Sequence, residues 1–483
     1  MGHDHGSTMA IDYDTVIVGG TIQARAVAAA AARQGARIAL VEESLAVDTQ
    51  ICRQLTLEVL SRAGENRQQQ YFPGPPPPIS EADWLALGQR VTAALPLAYP
   101  HLALDILAPA GVDIVAEPGQ FIPKPRLTFT TPSRCLRGRA YLLSPPTAVT
   151  VPAMPRLAEI PLLTPDTLLQ LPSLPRQIAI MGRSPDAIAL AQALALLGSQ
   201  TTLICRGNQI LPTEDRDISE FVESLLLAVG VDLRLNARID AIHQSDAVAI
   251  QFEDGEYLKV PHLLLATARQ PQLGPLNLDR IHLKTSGPAI AVDDQLTTTR
   301  PRCFAFGPCL GGYWADHTDQ QDGQVALFNA LYLPWRKLQS LIRVGQLATI
   351  PEFARFGMTA GQARHHFGPA AVVLQIPYGE IPKLHLDDRM TGFCRCIIHQ
   401  HGQVLGAQII GPRARELAQT LALLAHRRLT IQSISQMPQL PLTDTELLHR
   451  LFEGWRQQRW RPGQWRRDWA ENWFNWRRSG FKH

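Results

Sequence analysis

The stretch DTVIVGGTIQARAVAAAAARQGARIALVEE, residues 14–43, decides how the rest of the chain is read. Thr15 to Val18 is a short β-branched run, and Gly19 opens a turn. Thr21 to Gln34 carries an alanine-rich helical pattern, and Arg37 to Val41 is a second apolar strand ending at Glu42. The spacing predicts a βαβ unit. In a dinucleotide-binding loop, three small residues let the turn tighten, the backbone approach a pyrophosphate and the helix pack close to the strand. Those positions are Gly19, Thr21 and Ala24, with Gly20 between the first two. The helix N-terminus aims amide hydrogens at the phosphate position, and Glu42, 23 residues after Gly19, is placed to accept adenosine ribose hydroxyls. Thr21 stands where the second glycine belongs, so a βαβ unit that merely packs is the competing reading.

The 483 residues suffice for two to four domains, and 45% apolar with 18% charged residues is ordinary for a soluble globular protein. A net charge of +3, without basic clusters interleaved with strand aromatics, argues against nucleic acid. Seven cysteines (52, 135, 205, 303, 309, 394, 396) are scattered without disulfide density or CxxC metal spacing, which points to a reducing compartment and no metal site. Cys394 and Cys396, two apart on an expected strand, share one face and read as core thiols. No apolar run reaches the roughly 18 residues of a membrane span, and no signal-peptide layout is present. Cytoplasmic location is the expectation. Residues 1–8, MGHDHGST, read as an appended cloning segment, and their histidines are given no metal role.

PGPPPP, residues 73–78, predicts a stiff surface connection. A second βαβ pattern follows in RQIAIMGRSPDAIALAQALALLGSQTTLICRGN, residues 176–208. Its small-residue positions are Gly182, Ser184 and Ala187, and its second strand ends at Cys205 and Arg206, without the acidic ribose acceptor. Arg206 favours a 2′-phosphate if a nicotinamide cofactor binds at all. A retained scaffold with a solvated Arg206 is the plainer alternative, so NADP(H) is a doubtful cofactor. From about residue 351 the pattern turns to mixed strands and a helix, AAVVLQIPYG, GFCRCIIHQHGQVLGAQIIG and ARELAQTLALLAHRR.

This layout resembles the flavin-dependent pyridine nucleotide disulfide oxidoreductases, the family of glutathione reductase, dihydrolipoamide dehydrogenase and mercuric reductase. The resemblance runs through GVDIVAEPGQF (111–121), LPSLPRQIAIMG (171–182), LLLATARQPQ (263–272), IAVDDQLTTTRPRCFAFG (290–307), IPEFARFGMTAGQAR (350–364) and ELAQTLALLAHRRLTIQSI (416–434). It implies an α/β fold of two Rossmann-like dinucleotide-binding domains plus a C-terminal α+β dimerisation domain. The implied boundaries are 9–150 with 271–350 for FAD, 151–270 for an NAD(P)-binding-like domain, 351–450 for homodimerisation and 451–483 for a tail. It also implies bound FAD.

The family's working residues are altered. Its cysteine pair is reduced to Cys52, which excludes dithiol exchange there because both sulfurs are needed. Its Ala-Thr-Gly reads Ser144, Pro145, Pro146, and its Gly-Asp, whose carboxylate binds the flavin ribityl, reads Gly307, Pro308. The glutamate at the nicotinamide site is Ala189, and the C-terminal catalytic histidine is missing while Glu446 fits its glutamate partner. Cys52, ten residues beyond Glu42 and beside Arg53, suits the single-cysteine peroxidases and coenzyme A disulfide reductases of the family, or is an inert packing thiol.

Past the family's usual end, residues 454–483 hold six of the nine tryptophans. Trp465, Trp469, Trp473 and Trp476 form one helical stripe beside Arg466, Arg467, Arg477 and Arg478. From 451 on, eight Arg or Lys face three Asp or Glu. Residues 455–483 therefore predict peripheral attachment to an anionic membrane or a protein groove, against a helix docked on its own dimer. Three functions follow: a divergent FAD oxidoreductase without a redox disulfide, a non-catalytic scaffold acting through its tail, or a Cys52 peroxidase or disulfide reductase.

Overall fold

The computed structural model describes residues 11–43, 46–71, 77–123, 125–244, 246–314, 321–338, 343–459 and 465–479. Residues 73–76 of the proline run lie outside that set. The chain divides into two units, residues 1–340 with 347–350, and 341–346 with 351–483.

In the first unit, β1 (Tyr13–Val18), α1 (Ile22–Arg33) and β2 (Ile38–Val41) form the βαβ element within one or two residues of its expected bounds. Thr21 ends the turn as the N-cap of α1, in extended conformation, with its hydroxyl accepting from the Ala24 amide at 3.1 Å. The alanines serve close packing, since Ala24, Ala28 and Ala31 are fully buried. Next come α2 (Ala46–Tyr71), β3 (Val112–Val115) and β4 (Gly138–Leu143). The second βαβ element is β5 (Gln177–Met181), α3 (Pro185–Leu196) and β6 (Gln200–Ile204), followed by β7 (Asp232–Arg234) and β8 (His262–Leu265). The chain then returns to the first sheet through β9 (Cys303–Ala305) and α4 (Gln321–Leu331).

Two parallel sheets result, ordered β9-β4-β1-β2-β3 and β7-β6-β5-β8. Val16 of β1 pairs with Ala39 and Tyr141, and Ile180 of β5 pairs with Leu203 and Leu264. Parallel strands need helical crossovers and cover on both faces, and the central strands accordingly bury apolar runs such as Ile38–Val41 and Ile178–Met181. Where α1 meets α4, Gly323 permits the contact, because a Cβ there would stand 2.5 Å from Val27.

The second unit holds antiparallel strands β10 (Phe353–Gly357), β11 (Ala371–Pro377), β12 (Phe393–His399) and β13 (Val404–Ile410), in the order β10-β13-β12-β11. Helices α5 (Ala414–His426) and α6 (Glu446–Arg459) share their core through Leu417, Leu421, Leu448, Leu451 and Trp455. The start of the expected tail is thus core-forming. Cys394 and Cys396 are fully buried on β12, where burial pushes the Cys394 thiol up to about 12. The last helix is α7 (Trp465–Ser479). No described helix is long and apolar enough to cross a membrane.

Candidate functional site

The C-terminal ends of β1, β2 and β4 open on a cavity of about 770 Å³, lined by Gly19, Gly20, Thr21, Glu43, Gln50 and Pro308 among others. Ligands of parallel α/β sheets settle at this end of the strands. Gly19 has φ +139°, and a Cβ on it would lie 1.9 Å from the Ser144 carbonyl oxygen, so no other residue fits that turn. Thr21, in the second glycine's place, holds its hydroxyl against Ser144 Oγ at 2.7 Å. Ser144 itself stands where the resemblance expects the first residue of Ala-Thr-Gly. Two departures from the family pattern therefore hold each other in place.

Glu42 lies where the strand ends, but its side chain is 1% exposed and both carboxylate oxygens belong to Arg25. Arg25 Nε donates to Oε2 at 2.9 Å and Nη2 to Oε1 at 2.5 Å. The next residue, Glu43, is exposed and lines the cavity, as do Glu117 and Asp166. The helix N-terminus is also partly engaged, since Gln50 Oε1 accepts from the Ile22 amide at 3.2 Å. Gly307 has φ +75° and stands near Ser144 Oγ, which a Cβ would meet at 3.3 Å. In volume and in its glycine turn the cavity has room for a dinucleotide; Glu43 lines it where Glu42 does not, and Gln50 holds an amide at the α1 N-terminus.

Cys52 is half-buried on α2 and is not among the cavity lining. Burial pushes its thiol above the ordinary value, against a hydrogen bond from Thr56, and the Asp166 carboxylate adds to the rise. Arg53, the cation expected to lower it, is spent elsewhere. Its side chain is 2% exposed and Nη1 donates to Asp186 Oδ2 at 2.7 Å, linking α2 to the first turn of α3. No cysteine lines this cavity among the described residues, and all seven are free thiols. Glu446 belongs to the second unit, where it opens α6 and pairs with Arg450 at 3.3 Å.

The second loop keeps its geometry. Gly182 has φ +142° with the Ala266 carbonyl 2.2 Å from where a Cβ would sit, and Ser184 caps α3 by accepting from the Ala187 amide. Its opening is filled by the protein's own groups. Pro185 removes an amide, buried Asp186 puts a carboxylate at the helix N-terminus, and Tyr313 Oη donates to the Arg183 carbonyl at 2.7 Å. The cavity left there is about 180 Å³, a quarter of the first. Arg206 is exposed and lines neither cavity. Sequence reading missed Arg25, Gln50, Asp186 and Tyr313, whose partners lie 17 to 133 residues away and leave no periodic signal. Among the described residues no group of three or more His, Cys, Asp or Glu could hold a metal ion.

On α7, Trp469 and Trp473 stack at 6.0 Å between ring centroids and Trp473 and Trp476 lie 5.1 Å apart, while all three are exposed. The expected stripe is present in these three rings, and the side chains of Trp465 and Arg466 lie outside the described residues.

A family model described as pyridine nucleotide-disulphide oxidoreductase matches residues 144–327, and the dimerisation domain of the same description matches 346–448, together more than half the chain. Mercuric reductase of Staphylococcus aureus is 25% identical over 436 residues, 88% of this chain and 79% of that protein. The probable pyridine nucleotide-disulfide oxidoreductase RclA of Escherichia coli (strain K12) is 29% identical over 235 residues, 48% of this chain and 53% of that protein. Among solved structures, the HOCl-induced flavoprotein disulfide reductase RclA from Escherichia coli superposes with a TM-score of 0.77 at 23% identity, over 91% of this chain and 99% of that one. LpdA from Mycobacterium tuberculosis gives 0.78 at 18% identity, over 90% and 99%. At such identities these structures speak for the fold, and the first βαβ element, which precedes residue 144, is placed by that likeness and by its own sheet.

Proposed function

The chain belongs to the pyridine nucleotide-disulphide oxidoreductase family, and from that premise we propose that it is a flavin oxidoreductase working without a redox-active disulfide. The family's cofactor is FAD. When bound, FAD supplies a ring that takes up and returns electron pairs. The residues that would hold it are the Gly19–Thr21 loop and α1 N-terminus at the pyrophosphate and Glu43 at the ribose. The observation carrying this reading is the cavity of about 770 Å³ at the Gly19 loop with no thiol in its lining. Asp186 and Tyr313 fill the second loop, which favours an electron donor other than a nicotinamide nucleotide. In this reading the second βαβ element supports the fold, and Arg206 is a solvated surface cation. Anaerobic dithionite titration of the FAD-loaded protein is expected to consume about two electrons per flavin, because an internal disulfide would add about two more. Consumption near four would overturn the reading.

A non-catalytic scaffold is the second reading. It is favoured by Arg25, Gln50 and Asp186 each satisfying a group that a nucleotide would otherwise satisfy. The Cys52 peroxidase draws no support from a half-buried thiol pushed upward. The C-terminal unit is the family's dimerisation domain, the basis for a homodimer. Partners beyond it fall to α7, whose exposed tryptophans beside Arg467, Arg477 and Arg478 suit the headgroup layer of an anionic membrane.

A further inference from the structure

At the opposite edge of the first sheet, where β4 and β9 begin, three chain segments close a pocket of about 560 Å³. Each segment brings arginine to it: Arg126 from 125–128, Arg137 and Arg139 from the start of β4, and Arg300 and Arg302 from the residues leading into β9. Five arginines line it, and no carboxylate does. The acids nearest in sequence are turned elsewhere or lie outside the lining. Asp14 accepts from the Arg37 amide at 2.9 Å, and Asp12 is exposed and not among the lining residues.

The pocket is built on a fixed frame. Tyr141, 2% exposed, donates its hydroxyl to the Leu127 carbonyl at 2.8 Å and accepts from the Gly138 amide at 3.1 Å. Its own amide donates to the Arg302 carbonyl at 2.8 Å. One buried residue thus ties all three segments together. Pro125 and Pro301 stiffen two of them, and Arg302 holds φ +64°, a conformation uncommon outside glycine. Five guanidinium groups gathered from three segments give the pocket a positive potential that attracts an anion. Guanidinium recognises phosphate oxygens in pairs, through charge-assisted hydrogen bonds.

We propose that this edge of the sheet is a binding site for a compact, multiply charged phosphate, a di- or triphosphate group, separate from the dinucleotide cavity at the other ends of the same strands. The phosphates are what it reads. Tyr141, the single aromatic in the lining, is buried and offers no face on which a base could stack, and a pocket of this volume suits a small anion rather than a protein surface.

The test is thermal unfolding of the full-length protein in increasing inorganic pyrophosphate, with sodium chloride at matched ionic strength as the comparison. The midpoint should climb with the logarithm of pyrophosphate concentration and exceed the chloride series. R137Q/R302Q should weaken the apparent affinity about tenfold or more, the worth of at least one charge-assisted hydrogen bond, while FAD content per chain stays that of the wild type. R126Q/R139Q, which alters only exposed side chains, should do the same and serves if the first variant folds poorly. Equal pyrophosphate shifts in wild type and variants would assign the effect to a phosphate loop elsewhere and overturn the proposal. So would a shift no larger than that of chloride.

Discussion

Glu42 shows how a side chain's partner decides its role. Spacing along the sequence puts it at the end of β2, where a ribose would be held, and the backbone does end there. The carboxylate turns instead to Arg25, 17 residues earlier on the buried side of α1. Nothing in the spacing encodes that turn, because an arginine in an alanine-rich helix reads equally well as solvated. Removing one member of a buried pair leaves the other charge without compensation, so Arg25→Met should cost about 3–5 kcal/mol, and Arg25→Met/Glu42→Leu should recover much of it. Chemical denaturation of the two variants checks this, and equal losses in both would mean that the pair is not coupled. The same variants should hardly change FAD affinity, since neither Arg25 nor Glu42 lines the cavity. Cys52 gives the pH-dependent case. Its thiol is raised by burial, so it stays protonated at neutral pH. Site-resolved alkylation should be slow at pH 7 and still be climbing above about pH 8.5, the ordinary range of a free thiol. A rate already level at pH 7 would point to a thiolate and revive the single-cysteine chemistry.

At the scale of elements, both βαβ units were legible because their signals are local: β-branched strands, glycine at the turn, small residues along the helix. What each loop does was not legible. Thr21 looks like damage to a phosphate loop until its hydroxyl is seen to bond Ser144, 123 residues away. Asp186 looks like a favourable first-turn acid until Arg53, from another helix, is seen to hold it. Such contacts depend on tertiary placement. The last helix was legible from its tryptophan spacing, and its exposed stack on α7 leads to a direct expectation. The full chain should float with vesicles rich in anionic lipid, less with zwitterionic ones, and lose that binding when cut before Trp465, with the attraction falling as salt rises. Flotation unchanged by the cut would remove α7 as the attachment surface, and capture by a protein groove would then be the alternative.

For the molecule as a whole, two parallel sheets, a dimerisation domain and a cavity at the Gly19 loop fit a flavoprotein, while the cysteine, aspartate and acid–base positions that the resemblance implies are replaced are the ground for proposing altered chemistry. The resemblance along some 400 residues made the architecture readable. It could not say whether the changed positions compensate one another, which is a matter of contacts. Volume and backbone geometry at the first loop favour retained FAD, and losing one polar contact at Pro308 costs little against a cofactor held over a large surface. The most direct test is the absorbance spectrum of the purified protein, before and after denaturation, with the released flavin identified and counted. A yellow protein releasing nearly one FAD per chain is the expected result. A colourless protein that added FAD cannot reconstitute would contradict the account and leave the fold serving as a scaffold.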